Sequence, residues 1–233
     1  MQLHTHEWGS GDRIAVLIHG LMSDHRTWRR LGPALADRGY RVIGVDLRGH
    51  GASGRGAYAP ELFADDLVDT LPAGAELALG HSLGGLALSL AAERLAPARA
   101  VYSDPAWALG QWRESLPVEP AMFKEFKRAS RAMIQSFNPR WDAADIDVEL
   151  AGLAVWDEET AHALSGPGAV DHIPAEPVVP SLVQVADPSP VVPEPLKAEL
   201  SARGFDVRTV DGAGHCIHRD DFDAFMDSLD GWV

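Results

Sequence analysis

Short apolar runs of strand length alternate with longer helix-like segments along most of this chain. Such alternation is typical of a parallel sheet whose strands are joined by crossover helices. The predicted strands are residues 14–18, 41–45, 76–80, 98–103, 178–186 and 205–210. The predicted helices cover about residues 24–38, 60–71, 84–95, 194–203 and 219–231. We therefore predict an α/β fold with a mostly parallel central sheet flanked by helices.

Composition narrows the possible partners and the compartment. The formal net charge of −14 disfavours binding to nucleic acid or to an acidic membrane surface, because like charges repel. No signal-peptide pattern opens the chain, and no apolar run reaches the 18 residues of a membrane span. Cys216 is the only cysteine, so no internal disulfide can form. We expect a cytoplasmic protein, and the sequence leaves its oligomeric state open.

The stretch from residue 105 to residue 177 is far longer than an ordinary connection between elements. Apolar residues recur in it at helical spacing, namely Met122, Phe126, Ala129, Met133 and Phe137, and it holds four of the seven tryptophans. We predict a small helical cap at 105–177, inserted into a core formed by 1–104 and 178–233. The cap would cover a pocket, or its aromatic residues would only attach it to the core. The candidate pocket residues are Met22, Trp107, Met133 and Trp156.

A pentapeptide with glycine at both ends, Gly-His-Ser-Leu-Gly at residues 80–84, joins an apolar run to a helix-like run. A serine on a sharp strand-to-helix turn projects its hydroxyl out of the sheet, and glycines are needed where a Cβ would collide with the backbone. A serine before a helix more often acts as an N-cap. Because a strand leads directly into this turn, we favour Ser82 as a nucleophile.

A serine nucleophile also needs a base and donors for the oxyanion. His215 follows the last predicted strand, and the carboxyl ends of parallel strands share one edge, so His215 is the predicted base. The backbone N–H of Leu83, at the start of the next helix, is one predicted oxyanion donor. The N–H of Leu21, in the loop after the first strand, is the other.

Four motifs in this order resemble the α/β-hydrolase family: His-Gly at 19–20, Asp-Leu-Arg-Gly-His-Gly-Ala-Ser at 46–53, Gly-His-Ser-Leu-Gly-Gly at 80–85 and Gly-Ala-Gly-His at 212–215. The resemblance covers nearly the whole chain outside 105–177. It implies a mostly parallel sheet and a serine, acid and histidine in that chain order. It also implies that residues 46–53 form a structural turn.

The chain departs from the family pattern at the acid. The family usually places it in a phrase like Gly-x-x-Asp-Pro-x-x-Pro, and here Ser189 occupies the usual acid position while Asp187 falls two residues early. Some members instead carry the acid after the strand that precedes the cap, where this chain has Asp104. We favour Asp104 and keep Asp187 as the alternative.

A serine at the turn suits acyl transfer to water, and it argues against the epoxide hydrolase and haloalkane dehalogenase chemistries of the same family. Acidic residues outnumber basic ones in the predicted cap, so a neutral, fairly apolar ester, thioester or lactone is the expected substrate. The alternatives are a carbon–carbon bond hydrolase, a cofactor-free lyase, or a small-molecule receptor that keeps the triad. No cofactor is expected, and no catalytic metal, since neither His-Glu-x-x-His nor His-x-His-x-Asp-His occurs.

Overall fold

A seven-stranded sheet forms the centre of the protein, seen here in a computed structural model that describes residues 1–111, 125–165 and 169–233. The strands are β1 Thr5–Trp8, β2 Arg13–Ile18, β3 Tyr40–Val45, β4 Leu77–His81, β5 Ala100–Ser103, β6 Ser181–Ala186 and β7 Asp206–Val210. Six of them lie where the sequence predicts a strand. The predicted fold class is confirmed.

The strand order is β1-β3-β2-β4-β5-β6-β7, and all neighbours are parallel except β1, which runs antiparallel to β3. The chain therefore moves outward from β2 to β3 and then returns to place β4 on the other side of β2. This reversal separates the loops that follow β2 and β4, and a crevice opens at their carboxyl ends. Ligands bind in such crevices in open α/β sheets.

Helices cover both faces of the sheet. They are the 3₁₀-helix His25–Trp28 and α1 Leu31–Ala36, α2 Pro60–Thr70, α3 Leu83–Leu95, α4 Arg131–Phe137, α5 Ala143–Val155, α6 Glu159–Ser165, α7 Glu194–Ala202, α8 Ile217–Asp220 and α9 Phe222–Asp227. None of the helices in the described ranges is long and apolar enough to cross a membrane.

Two predicted helices are broken in the structure. The segment 24–38 forms a 3₁₀-turn, whose start is capped by the Asp24 side chain, and then the separate helix α1. The segment 219–231 is divided because Asp221 has an extended backbone and its side chain accepts a hydrogen bond from the Ala224 N–H. An aspartate that caps a new helix ends the previous one, which the apolar periodicity alone does not reveal.

The apolar core has two halves, one on each face of the sheet. Alternate residues of β2 face opposite sides, so Val16 belongs to the half that holds Phe63 of α2, and Leu17 to the half that holds Phe225 of α9. Both faces of the sheet are therefore covered, and the inner strands β4 and β6 are buried along their whole length. Such a sheet holds its strand ends in fixed relative positions.

The segment between β5 and β6 carries α4, α5 and α6, which share an apolar cluster that includes Trp141, Ile146 and Trp156. The expected helix through Met122 and Phe137 lies in part outside the described residues, as does Trp112. Within them, the Ser130 side chain accepts a hydrogen bond from the Met133 N–H and begins α4 at Arg131.

Candidate active site

Ser82 stands between β4 and α3 with no loop on either side, and its backbone has φ 51° and ψ −115°. A Cβ on Gly80 would lie 2.4 Å from the carbonyl oxygen of Gly84, and a Cβ on Gly84 would lie 2.2 Å from that of Ile18. No side chain fits at such distances. The two glycines of the pentapeptide are therefore required by the close packing of the turn against its own backbone and against β2.

His215 and Asp104 are in contact although 111 residues separate them in the chain. Asp104 directly follows β5, has φ 44°, and is fully buried. The Nδ1–H of His215 donates to Oδ2 of Asp104 over 2.6 Å. This bond fixes the imidazole tautomer and leaves Nε2 as the nitrogen that can take a proton.

The second carboxylate oxygen of Asp104 is also held in place. Its Oδ1 accepts hydrogen bonds from the Ser189 hydroxyl at 2.7 Å and from the Ala186 N–H at 3.2 Å. The Ser189 oxygen in turn accepts from the Val192 N–H at 2.8 Å. The serine that occupies the family's usual acid position thus orients the carboxylate of Asp104, which follows the neighbouring strand β5.

Asp187, the alternative acid, has an exposed side chain. Its backbone N–H donates to the Ala213 carbonyl over 2.8 Å, which ties the loop after β6 to the loop that carries His215. Of the two candidate acids, Asp104 is the one whose carboxylate bonds the imidazole.

A cavity of about 1040 Å³ opens beside these residues. Ser82 and His215 line it, and so do Leu21 and Leu83, whose N–H groups are the predicted oxyanion donors. Leu83 is the first residue of α3, so its N–H has no partner within the helix and carries the positive end of the helix dipole. The lining is mostly apolar and includes Met22, Leu86, Leu109, Phe126, Ile134, Phe137, Trp141, Leu164 and Val191.

Of the four predicted pocket residues, only Met22 lines the cavity among the residues described. Trp107 lies in the core, where its Nε1–H donates to Ser89 over 3.0 Å, and Trp156 is fully buried with its Nε1–H on Thr160 at 2.7 Å. Met133 is half-buried on α4, where its neighbour Ile134 reaches the cavity instead. The two tryptophans thus pack in the interior and do not line the pocket. The amino-acid composition alone could not decide between these two positions.

The model of the alpha/beta hydrolase family matches residues 15–228. This chain belongs to that family. It is 38% identical over 129 residues to the pimeloyl-[acyl-carrier protein] methyl ester esterase of Sodalis glossinidius (strain morsitans), a match that covers 53% of this hydrolase and 48% of the relative. It is 29% identical over 177 residues to an epoxide hydrolase of Caballeronia sordidicola, covering 69% and 51% of the two proteins. The chain spans about half the length of these curated relatives.

Solved structures of similar fold include the E-2-(acetamidomethylene)succinate hydrolase, with a TM-score of 0.82 and 23% identity over 99% of this chain and 94% of that one. The esterase EaEST from Exiguobacterium antarcticum has a TM-score of 0.74 and 18% identity over 99% and 94% of the two chains. At these identities the likeness shows the shared fold.

A buried arginine connects three parts of the hydrolase around the cavity, and the sequence analysis did not single it out. Arg219 donates from Nε to Thr27 at 2.9 Å, from Nη1 to Glu149 of α5 at 2.6 Å, and from Nη2 to Ser23 at 3.3 Å. Its guanidinium also lies 4.4 Å from the centre of the Trp141 ring. Arg219 thus joins α8, which follows the candidate base, to residues 23–27 and to α5.

Two further imidazoles, those of His81 and His218, lie near the candidate base. The rings of His81 and His215 lie 4.7 Å apart, and the Nε2–H of His81 donates to the His215 carbonyl over 2.9 Å. Burial, together with the nearby charge of His215, lowers the pKa of His81 well below its usual value, and burial does the same to His218. Burial raises the pKa of the Cys216 thiol, so this cavity-lining cysteine stays protonated and is a poor nucleophile.

Proposed function

We propose that this protein is a serine hydrolase that cleaves a neutral, fairly apolar carboxylic ester, thioester or lactone through an acyl-enzyme on Ser82. The observation that carries the proposal is the 2.6 Å contact between His215 and the buried Asp104, beside a cavity that Ser82 also lines. A nucleophile, a base and an oriented acid are the parts that acyl transfer requires.

In the proposed reaction, Nε2 of His215 accepts the proton of Ser82 as its oxygen attacks the substrate carbonyl. The N–H groups of Leu21 and Leu83 donate to the oxyanion, and each such donor contributes about 3 kcal/mol to transition-state stabilisation. The imidazolium, stabilised by Asp104, gives the proton to the leaving alcohol or thiol. A water molecule then attacks the acyl-enzyme, again with His215 as base, and the acid product leaves while Ser82 regains its proton.

The size and lining of the cavity support an apolar acyl group. A volume of about 1040 Å³ lies at the upper end of the range for small-molecule sites, and most lining residues are aliphatic or aromatic. A methyl ester is also what the name of the Sodalis glossinidius relative gives as its substrate. Residues 105–177 act in this proposal as a cap, because Phe126, Ile134 and Trp141 contribute to the lining.

The test is hydrolysis of p-nitrophenyl butyrate and octanoate by the purified protein, together with labelling by a fluorophosphonate. We expect a burst of nitrophenol, labelling at Ser82, and loss of both in Ser82→Ala, with kcat reduced by about 10⁶-fold as for other triad nucleophiles. Ser23→Ala is the matched control, since Ser23 lines the same cavity and should leave labelling in place.

Each other outcome has a distinct meaning. Labelling of Ser82 without turnover of any ester would favour a receptor that keeps the triad. Absence of both labelling and turnover, in a protein that is folded by circular dichroism, would contradict the serine hydrolase proposal.

A further inference from the structure

A group of imidazoles lies at the edge of the sheet that β1 forms. His4 immediately precedes β1 and His6 lies within it, two residues apart, so both side chains project from the same face of the strand. In the pairing with β3, His6 lies opposite Gly44, and the His4 carbonyl accepts from the Asp46 N–H over 2.9 Å.

A third imidazole, from the 3₁₀-helix, packs against this face. The ring of His25 lies 5.0 Å from that of His6, nearly parallel to it, and 5.5 Å from that of His4. The absence of a side chain at Gly44 makes room for it, because a Cβ there would lie 3.3 Å from the His25 Cβ and 2.9 Å from Trp8. Three imidazoles thus converge from two elements.

A buried carboxylate completes the group. Oδ1 of Asp46 accepts from Nδ1 of His25 at 2.7 Å and from its backbone N–H at 2.8 Å, and Oδ2 accepts from the Ala52 N–H at 2.9 Å. One nitrogen of His4, one of His25 and one carboxylate oxygen of Asp46 all lie within 4.8 Å of one another.

We propose that His4, His25 and Asp46, with His6 beside them, bind a divalent transition-metal ion of the Zn²⁺ class. Imidazole and carboxylate groups suit Zn²⁺, and binding releases the proton that His25 Nδ1 donates to Asp46, so that both of these atoms face the ion. Ligand atoms around a tetrahedral zinc lie about 3.3 Å apart at bond lengths near 2.0 Å. The exposed His4 side chain can close the remaining distance, because the other two ligand atoms, on His25 and Asp46, already lie 2.7 Å apart.

This site is separate from the proposed active site. None of His4, His6, His25 and Asp46 lines the cavity of Ser82, and the sequence offers no motif for a catalytic metal. The ion would connect β1, the end of β3 and the 3₁₀-helix. Its role is therefore to stabilise this edge of the fold, and the proposal stands independently of the ester chemistry.

The experiment is calorimetric titration of the protein, without an added histidine tag, with ZnCl₂, and a thermal melt with and without the ion. We expect one equivalent to bind and the melting temperature to rise, because a ligand that binds only the folded state stabilises it. His4→Ala and His6→Ala should each weaken binding, the first by at least about tenfold. Both side chains are exposed, so these variants should fold, and their melting temperatures without zinc will show this.

His162→Ala is the matched control. It removes an imidazole that also has a carboxylate neighbour, Glu159 at 3.2 Å, but belongs to α6, so zinc binding should be unchanged. Absence of zinc binding in the unaltered protein, or full binding in the His4→Ala, His6→Ala double variant, would overturn the proposal. Binding that is lost in His215→Ala and kept in His4→Ala would place the ion at the active site and would overturn it equally.

Discussion

The backbone at the candidate site adopts conformations that L-residues seldom use. Among the described residues, Met22, Ser82, Ala96 and Asp104 are the non-glycine residues with positive φ. Ala96 ends α3 in the left-handed conformation common at helix C-termini. The other three are Met22, next to the proposed oxyanion donor Leu21, the candidate nucleophile Ser82 and the candidate acid Asp104. Such conformations concentrate at functional sites, where the surrounding structure enforces them.

Exchange of each candidate acid for its amide separates their roles. Asp104→Asn should lower kcat for p-nitrophenyl butyrate by about 10⁴-fold, because the amide no longer accepts the His215 Nδ1–H and the wrong tautomer results. Asp187→Asn, at the exposed alternative, should change kcat by less than about threefold. The measurement is steady-state kinetics on both variants. A larger loss in Asp187→Asn than in Asp104→Asn would contradict the geometry.

The sequence could narrow the acid to two residues but could not choose between them. Asp104 and Asp187 each follow a strand, and β5 and β6 are neighbours, so both strand ends lie near His215. The choice depends on which carboxylate faces the imidazole, and contacts across the sheet set that orientation. The one local signal was Ser189 at the usual acid position, whose hydroxyl can support a carboxylate but cannot replace its charge.

The connection between α8 and α5 depends on one ion pair. The side chains of Arg219 and Glu149 are 2% and 12% exposed. The pair joins α8, which follows His215, to α5 beside the cavity. Because burial removes water from both groups, loss of one partner leaves an uncompensated charge. By contrast, Arg131 of α4 and Asp147 of α5 form a pair that is largely exposed.

Arg219→Met should therefore destabilise the protein by about 3 to 5 kcal/mol and raise KM for p-nitrophenyl butyrate, since Ser23 and Glu149 lose a shared partner. Arg131→Met, the matched control, should cost less than about 1 kcal/mol. Urea unfolding and ester kinetics measure both effects. Adding Glu149→Gln should recover part of the stability. If Arg219→Met is no more destabilised than Arg131→Met, the buried pair does not connect these elements.

The elements themselves were more predictable than their ends. Strands that are buried on both faces appear in the sequence as nearly continuous apolar runs. The buried strands could be predicted for that reason. β1 was missed because its four residues, Thr-His-Glu-Trp, are mostly polar and form a strand only through pairing with β3. The break before α9 depends on the Asp221 side-chain cap, which competes with helix continuation, whereas no side chain caps the start of α1.

Across the molecule as a whole, several buried histidines have lowered pKa values. Burial lowers the pKa of His19, His81 and His218, and it lowers the pKa of His50 to about 3. Below the unfolded value of about 6.5, the unfolded chain binds more protons at these positions than the folded chain does. Acidification therefore favours the unfolded state.

The free energy of unfolding should fall between about pH 7 and about pH 5, with His50 alone contributing roughly 1 kcal/mol for each pH unit below 6.5. Above pH 7 both states are neutral at these positions, so their contribution is constant. Urea denaturation across this range measures the slope. His50→Gln should reduce the slope by about one proton. A free energy of unfolding that is constant down to pH 5 would show that these imidazoles are protonated in the folded state.

The three candidate catalytic side chains follow three different strands of one sheet, β4, β5 and β7. Since β6 lies between β5 and β7, no partly formed sheet that lacks β7 can bring His215 to Asp104. Contacts at such long sequence separation form late, because closing the loop costs entropy before the contact compensates for it. If the protein hydrolyses esters as proposed, the return of turnover after dilution from denaturant requires β7 to have joined the sheet. The reaction then serves as a clock for the completion of folding.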